Sequence, residues 1–270
     1  MTVAIVLRAY LDTSSEAETG GGRVRPGYYS PLHPRLGCAT LIPIPEPVAK
    51  PLPHLDPRSA PDPCTGRSIA HYQPLGLEWL LHRDPRLGPG FYTDYWAPRG
   101  RIPHALRGGG LILFAAGLTV YPEGFWERRR TLGEIRREHR RAWREGRTGI
   151  YLVAVLAAER VVDVAATGWD AAVKAVPALR LSPHYARTLA GAADEPAALI
   201  GQGFLVKPPL PLGRPGQASV EAKRLLGAEE AEATARGNWR RSRVLRLSLG
   251  EVRERLSEMG HTLEKAPHEA

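Results

Sequence analysis

The chain has little of what marks several common classes of protein. Its 270 residues include 2 cysteines. No apolar run reaches the roughly 20 residues of a membrane helix, since the best one, IYLVAVLAAERVV, contains Glu159 and Arg160. The opening MTVAIVLRAYLD has no basic leader before its short apolar run, which argues against a signal peptide. We therefore expect a soluble, cytoplasmic protein that does not associate with membranes.

Cysteines and amide side chains are scarce. Two isolated cysteines are too few for a disulfide framework or a cysteine zinc site. A single bridge between Cys38 and Cys64 stays open, but the composition favours two reduced thiols. Asn238 is the only asparagine, and nearly all basic residues are arginine. Few thermolabile amides and proline-rich loops are typical of a heat-adapted protein, although a GC-rich genome produces the same bias.

The common catalytic and cofactor motifs are also missing. No stretch matches the phosphate loop G-x-x-x-x-G-K-[ST], the dinucleotide fingerprint G-x-G-x-x-G after a strand, the zinc-protease H-E-x-x-H or the hydrolase elbow G-x-S-x-G. These absences argue against the best-known classes of nucleotide-binding protein and metal-dependent enzyme. The cofactor stays unknown, and no motif predicts metal ligands.

Apolar runs and helical patterns follow one another irregularly. Strands are predicted in VAIVLRAYL, CATLIPI, LILFAAGL, GIYLVAVLAAERVVDV (one strand or two), ALIGQGFLV and RVLRLSL. Helices are predicted in LGLEWLLHR, TLGEIRREHRRAW, SPHYARTLAG, VEAKRLLG and SLGEVRERLSEMG. Ser182 before Pro183 is a predicted N-cap, and Ser248 with Glu251 has the spacing of a capping box. Without regular alternation, we expect an α+β fold with a mostly antiparallel, barrel-like sheet, flanking helices and long Pro/Gly-rich loops. Residues 1–250 are expected to form a single domain, followed over 251–270 by a C-terminal helix and a frayed tail.

The segment PLPHLDPRS places His54 and Asp56 two positions apart in a proline-stiffened backbone. Extended backbone alternates its side chains with period two, so both would project to one face. Such a pair could share a metal ion, or the carboxylate could orient the imidazole as a general base. The structural alternative is a turn that Asp56 caps. Asp12, at the end of the first strand, and His71 with Tyr72 are further candidates.

The formal net charge of +9 is concentrated in residues 126–147 and 236–246. The first segment predicts a helix with a capping box at Thr131 and Glu134. Its inner face would carry Leu132, Ile135, His139 and Trp143, and its outer face Arg136, Arg137, Arg140, Arg141 and Arg144. Arginine suits phosphate oxygens, although a charged helix face is more often only solvated. In the second segment, Trp239 could stack a base beside Arg240 and Arg241, or be a half-buried structural residue.

The ordered segments VAIVLRAYLDT, YYSPLHPRLGCATLIPIPEP, PHLDP, GGGLILFAAGL and GIYLVAVLAAERVVD resemble the type-three nucleotide modification associated domain, a prokaryotic and phage family. The resemblance covers roughly residues 3 to 250 and is most specific in LIPIPEP followed by HLDP. The resemblance implies that the family's motif positions are occupied here by Asp12, Pro45, Glu46, His54, Asp56 and Pro57, with a weaker match at His184. The central strands are also similar to those of PUA-like domains of the ASCH and EVE kind, which bind nucleic acid or modified bases.

These observations lead to three hypotheses of different classes. The preferred one is a nucleic-acid or nucleotide-binding protein associated with recognition or modification of nucleobases, with His54, Asp56, Asp12 and Glu46 lining its pocket. Its arginines would bind phosphates and its binding would weaken with salt. The alternative is a metal-dependent or general-base enzyme that processes nucleotides or small molecules through His54 and Asp56. A third is an interaction protein whose basic surface meets an acidic partner.

Overall fold

A computed structural model describes residues 2–11, 15, 17–19, 22–45, 61–77, 81–82 and 84–267. Its strands are β1 Val3–Arg8, β2 Ala17–Thr19, β3 Gly22–Val24, β4 Ser30–His33, β5 Cys38–Ala39, β6 Ile44–Pro45, β7 Leu81–His82, β8 Phe91–Asp94, β9 Gly110–Thr119, β10 Thr148–Asp163, β11 Ala197–Arg214, β12 Gln217–Ala218, β13 Leu245–Arg246 and β14 Thr262–Lys265. The α-helices in these ranges are α1 Leu132–Arg144, α2 Val164–Thr167, α3 Trp169–Ala175, α4 Pro183–Leu189, α5 Val220–Leu226, α6 Ala228–Arg236 and α7 Leu249–Glu258. The α+β class is therefore confirmed.

The centre of the fold is a sheet in the order β12-β11-β10-β9-β1-β13, with β8 and β14 also pairing β11 and β4 pairing β9. Most pairs are antiparallel, and the exceptions among the described strands are β1 with β9 and β4 with β9. The short strands β12 and β13 stand at opposite edges of that order, so the sheet is open. The expected barrel-like shape is wrong, because the two edge strands do not meet.

Apolar layers cover both faces of the sheet. Adjacent residues on β9 point to opposite faces, so Ile112 belongs to one layer and Leu113 to the other. All ten residues of β9 are buried, which explains the continuous apolar run GLILFAAGLT. Residues of α5, α6 and α7 pack onto the layer that contains Leu113 and Leu152. Leu152 is fully buried, and truncating such a leucine to alanine costs about 2–5 kcal/mol.

The helix boundaries follow the predicted caps. Thr131 and Glu134 form a complete capping box at the start of α1, and Ser248 and Glu251 form another at α7. Ser182 accepts a hydrogen bond from the backbone of His184, as expected of a cap before a first-turn proline. The sequence therefore determined where these helices begin.

Two local predictions are wrong. The end of the helix predicted in LGLEWLLHR is instead β7, which pairs antiparallel with β6; the short apolar run was compatible with either structure, and cross-strand pairing decided it. Residues 78–80 and Arg83 of that segment lie outside the described residues. The tail expected to fray contributes β14, which pairs with β11 from Phe204 to Lys207.

Cys38 and Cys64 form a disulfide with a Cα–Cα distance of 5.8 Å. This corrects the expectation of two reduced thiols. The bridge joins β5 to the turn around Asp62, whose carboxylate accepts hydrogen bonds from the backbone amides of Cys64 and Thr65. Sequence spacing could not establish the pairing, because the distance between two cysteines 26 residues apart depends on the tertiary fold.

Candidate ligand-binding cavity and buried histidine cluster

Several predicted site residues cannot be placed. His54, Asp56, Asp12 and Glu46 lie outside the described residues. The proposed pocket around HLDP therefore stays a prediction.

The two arginine-rich segments meet at a cavity of about 640 Å³, here called the basic cavity. The residues that line it are Arg8, Gly27, Tyr29, His139, Arg140, Trp143, Arg144, Pro215, Asn238 and Arg240. Four of these described lining residues are arginines, three are aromatic or imidazole rings, and none is acidic. A volume of this size lies within the range of about 300–1,000 Å³ that is usual for small-ligand sites.

Helix α1 forms one wall of the basic cavity. His139 and Trp143 are four residues apart, as are Arg140 and Arg144, so two adjacent rows of the helix face the cavity. His139 is buried, whereas Trp143 is 37% exposed, which corrects the expectation that both rings pack inward. The partly exposed indole of Trp143 therefore lies beside the guanidinium groups of Arg140 and Arg144 in the cavity wall.

A further part of the wall comes from β1 and the 236–246 segment. The backbone N–H of Arg8 donates to the carbonyl oxygen of Arg240 at 3.1 Å, and Nη1 of Arg8 donates to that of Asn238 at 3.3 Å. These bonds place Arg8 beside Arg240 although more than 200 residues separate them in the chain. The guanidinium of Arg8 also lies 5.3 Å from the centre of the Tyr29 ring, a cation–π distance.

Not every predicted arginine reaches the basic cavity. Arg141 forms an ion pair with Glu145 at 2.8 Å, and neither it nor Arg137 is among the lining residues. Arg136 donates from Nε to the carbonyl oxygen of Pro26 at 3.1 Å, so it supports the loop that carries Gly27. Arg241 is exposed and forms an isolated backbone bridge with Leu7. The helix face therefore divides into arginines with structural partners and arginines that face the cavity.

Trp239 is a core residue. Its side chain is fully buried, and its Nε1–H donates to the carbonyl oxygen of Arg214 at 3.2 Å. No face of this ring is open to a base, so the stacking role predicted for Trp239 is wrong. Trp143 is the tryptophan that reaches the cavity. The sequence could not distinguish the two because both stand beside arginines.

His139 is neutral in this environment. Burial, with a smaller contribution from the charge of Arg140, lowers the pKa of His139 to about 4. Its Nδ1 lies 3.0 Å from the hydroxyl of Thr119, and its ring centre lies 4.9 Å from that of Tyr29. The rings of His139 and Tyr29 thus form an uncharged floor between the arginines.

His71 and Tyr72 belong to a separate aromatic cluster. His71 Nε2 lies 2.6 Å from the carbonyl oxygen of Trp126, and the hydroxyl of Tyr72 lies 2.7 Å from that of Thr65. Tyr72 is buried among the rings and aliphatic side chains beneath α1. These contacts show that both residues hold loops together, and neither is among the residues that line the basic cavity.

A second candidate site, made of potential metal-ligand side chains, is buried near α4. His82, Asp84 and His184 each offer one potential ligand atom, and these atoms lie within 4.8 Å of one another. All three are at least nine-tenths buried. We call this group the His82–Asp84–His184 cluster. His184 was a weak candidate in the sequence, and the structure gives it two partners that sequence reasoning missed.

Hydrogen bonds fix the orientation of this cluster. His184 Nδ1 lies 3.0 Å from Oδ1 of Asp194, which also accepts from Tyr95, while Arg187 donates to Oδ2 of Asp194 at 3.1 Å. Arg187 also donates to Nδ1 of His82 at 3.0 Å.

The two carboxylates of this region have opposite pKa shifts. Burial raises the pKa of Asp84 to about 7, despite hydrogen bonds from the backbone and hydroxyl of Thr93. Burial alone would also raise the pKa of Asp194, but the hydrogen bond from His184, with Tyr95 and Arg187, lowers it to about 2. Strongly perturbed carboxylates beside histidines are typical of functional sites.

A sequence signal for this cluster existed. The pattern H-x-D-P occurs at residues 54–57 as HLDP and again at residues 82–85 as HRDP. The second stands at the end of the segment predicted as a helix, where a turn is not expected. In the structure the backbone N–H of Asp84 donates to the carbonyl oxygen of His82 at 3.0 Å, a tight turn rather than helix.

A second histidine–carboxylate group has a structural explanation. His33, Asp62 and Cys64 also lie within 4.8 Å of one another. Cys64 is bonded to Cys38, so it offers no thiolate. Asp62 accepts a hydrogen bond from Thr40 at 2.8 Å, and the Thr40 hydroxyl lies 2.9 Å from His33 Nε2. This network fastens a turn.

Among the helices of the described residues, none combines the length and apolarity that a bilayer crossing requires. Comparison with protein-family models, curated proteins and solved structures found no match to this chain. The resemblances to the nucleotide modification associated domain and to PUA-like domains therefore stay predictions.

Proposed function

We propose that this protein binds a nucleotide or a single strand of nucleic acid in the basic cavity, with phosphates held by arginines and a base against Trp143. The observation that carries the proposal is the convergence of Arg8, Arg140, Arg144 and Arg240 on a cavity that also has aromatic walls. Planar guanidinium groups match phosphate oxygens, and aromatic faces stack bases without requiring a particular sequence.

The charge at the basic cavity is available to a ligand. Neither Arg140 nor Arg144 has an acidic partner in the part of the chain that the structure describes, whereas Arg141 on the same helix is paired with Glu145. Like charges four residues apart on a helix, such as Arg140 and Arg144, are destabilising unless something neutralises them. The unbalanced pair on the cavity side supports an anionic ligand.

The ring arrangement supports a ligand with a flat part. The Trp143 and Tyr29 rings are 6.2 Å apart in an edge arrangement, and Arg214 lies 6.0 Å from the centre of the Trp143 ring. The exposed indole surface is bordered by positive charge, as in sites that stack bases beside phosphates.

The test is fluorescence anisotropy with labelled single-stranded DNA and RNA, and calorimetry with nucleoside mono- and triphosphates. The variant is Arg140→Gln with Arg144→Gln, and the matched control is Arg137→Gln, an exposed arginine of the same helix outside the cavity. We expect the double variant to bind at least tenfold more weakly, and the control to bind within about twofold of the original protein. Removing two phosphate contacts should also reduce the slope of log K against log salt by about 2.

Each outcome has a clear meaning. Binding of nucleotides alone would define a small-molecule site, and binding of oligonucleotides alone would define a strand-binding site. If no phosphate-bearing ligand binds at low salt, or if the double variant binds as well as the control, the basic cavity is not the site. In that case an acidic protein partner for the same surface becomes the better explanation.

The proposed association with nucleobase recognition or modification rests on the resemblance and on the base-stacking surface. The alternative of a metal-dependent or general-base enzyme using His54 and Asp56 also stays open, since those residues lie outside the described part of the chain. A cytoplasmic location remains our prediction. With the Cys38–Cys64 bridge, it fits a heat-adapted organism, because cytoplasmic disulfides are otherwise rare.

A further inference from the structure

The His82–Asp84–His184 cluster lies away from the basic cavity. Thr93, which holds Asp84, pairs with Ala198 on β11, and Ala198 pairs with Val162 near the end of β10. The cavity residue Pro215 directly follows β11, whose Gly213 pairs with Ile150 near the start of β10. The two groups are therefore at opposite ends of the β10–β11 ribbon and can be tested separately.

We infer that His82, Asp84 and His184 bind one divalent transition-metal ion of the Zn²⁺, Fe²⁺ or Mn²⁺ class. Their potential ligand atoms lie within 4.8 Å of one another, close enough for all to contact one ion after small side-chain adjustments. Two imidazole nitrogens with one carboxylate oxygen are a common set of protein ligands for these metals, and they leave further coordination positions open.

The surrounding side chains provide the support that such a site requires. The Asp194 carboxylate occupies Nδ1 of His184, which leaves Nε2 as the nitrogen that a metal would use. Thr93 holds the Asp84 carboxylate through its backbone N–H at 2.9 Å and its hydroxyl. The Thr93 hydroxyl lies 3.0 Å from that of Ser182, which caps the helix of His184. These contacts connect the segments that carry two of the three ligands.

Arg187 defines what must change when a metal binds. Its guanidinium donates to Nδ1 of His82, so that nitrogen is an acceptor and is the atom that we assign as the ligand. When a metal binds, it takes the place of the hydrogen bond from Arg187 to His82, while Arg187 keeps its contact with Asp194. The Arg187 side chain is 14% exposed, against 4% for the Asp194 side chain.

The competing explanation is a hydrogen-bonded network that only fastens α4 to the turn at His82. That explanation predicts no metal uptake. An experiment on metal uptake distinguishes the two explanations. The purified protein is stripped with a chelator, Zn²⁺, Mn²⁺ or Fe²⁺ is added in separate samples, and bound metal is measured by elemental analysis and calorimetry. We expect one equivalent of at least one of these ions to remain bound after gel filtration.

The variants are His82→Gln, Asp84→Asn and His184→Gln, with His261→Gln as the matched control. His261 is outside the cluster, and its Nδ1 lies 2.7 Å from the carbonyl oxygen of Pro208. Each cluster variant should lose at least tenfold in metal affinity, and the control should bind normally. Asp194→Asn should weaken binding by about 10–100-fold through the orientation of His184. No uptake by the original protein, or equal uptake by all cluster variants, would overturn the inference.

Because the three ligands are buried, a variant that fails to fold is set aside and the original protein decides. X-ray absorption at the edge of the bound metal should show two imidazole rings and an oxygen donor in the first shell. A spectrum with fewer than two imidazoles would overturn the inference. Nucleotide binding by the cluster variants that fold, measured beside metal uptake, should be unchanged, so failure here and failure of the basic cavity are distinguishable.

Discussion

Gly117 on β9 makes room for Tyr29, since a Cβ atom at Gly117 would lie 2.5 Å from Cδ1 of the Tyr29 ring. Tyr29 in turn forms part of the basic cavity and receives the guanidinium of Arg8. A glycine inside a strand lowers its intrinsic stability, so its presence here has a packing reason. The shape of the cavity depends on this close approach.

The Gly117→Ala substitution should therefore displace the Tyr29 ring. We expect a loss of about 1–3 kcal/mol in the free energy of unfolding, as for other overpacked sites, together with weaker ligand binding. Denaturant unfolding and the anisotropy assay measure the two effects. Gly133→Ala is the control, because a Cβ there meets no atom within 4 Å and the position lies within α1. That variant should be slightly more stable; comparable losses in both would show that the contact with Tyr29 is not the cause.

Trp143→Ala should weaken nucleotide or oligonucleotide binding by about tenfold or more, because stacking contributes roughly 1–3 kcal/mol per base. Its effect on stability should be smaller than that of truncating the fully buried Trp239, since Trp143 is 37% exposed. Trp143→Phe keeps an aromatic face and should retain most of the affinity. Trp239→Phe, at the fully buried indole, should show the reverse pattern, with lower stability and nearly unchanged affinity. Equal affinity losses for both alanine and phenylalanine at position 143 would argue against stacking.

Stability should depend on pH through His139. Its folded-state pKa of about 4 lies below its ordinary value of 6.5, so between these values the unfolded chain binds a proton that the folded protein does not. The contribution of His139 is thus fully present above pH 6.5 and is lost as the pH falls towards 4. Compared with His139→Gln, the original protein should lose about 3 kcal/mol more over this window.

Urea unfolding at several pH values between 4 and 7 measures this difference, and subtracting the variant removes the contribution of the other titrating groups. Parallel stability curves for the two proteins would show that His139 is not held neutral. A bound phosphate should raise the folded-state pKa of His139 towards its ordinary value, so saturating ligand should narrow the pH window over which the original protein loses stability and reduce that loss.

Removing the Cys38–Cys64 bridge with the Cys38→Ser, Cys64→Ser double variant should lower the free energy of unfolding by about 3 kcal/mol, the value expected for closing a loop of this length in the unfolded chain. Thiol titration of the denatured, unreduced protein should find no free thiol. A reducing agent should destabilise the original protein but leave the double variant unchanged. Two titratable thiols in freshly purified protein would show that the bridge does not form.

The candidate sites show how far sequence reasoning reaches. The arginine helix, its capping box and the second basic segment were predictable, because caps and helical periodicity depend on residues only three or four positions apart. Which arginines would face a ligand was not predictable: Arg140 and Arg141 are adjacent, yet one lines the basic cavity and the other is paired with Glu145. Likewise, Trp143 is partly exposed although its helix position predicted an inward-facing ring, and Trp239 is fully buried although stacking and a half-buried structural role were both open, since burial depends on distant packing.

By itself, then, the sequence determined the α+β class, the strand runs of β9 and β10, the starts of α1, α4 and α7 and the concentration of positive charge, all of which follow from local periodicity and composition. Only the tertiary structure decided that the sheet stays open, that Cys38 meets Cys64, and that His82 and Asp84 meet His184. The pairing of Arg8 with the backbone of Arg240 also belongs to this second group. These contacts join residues far apart in the chain, and their distances are set by how β1, β10 and β11 pack rather than by any spacing in the sequence.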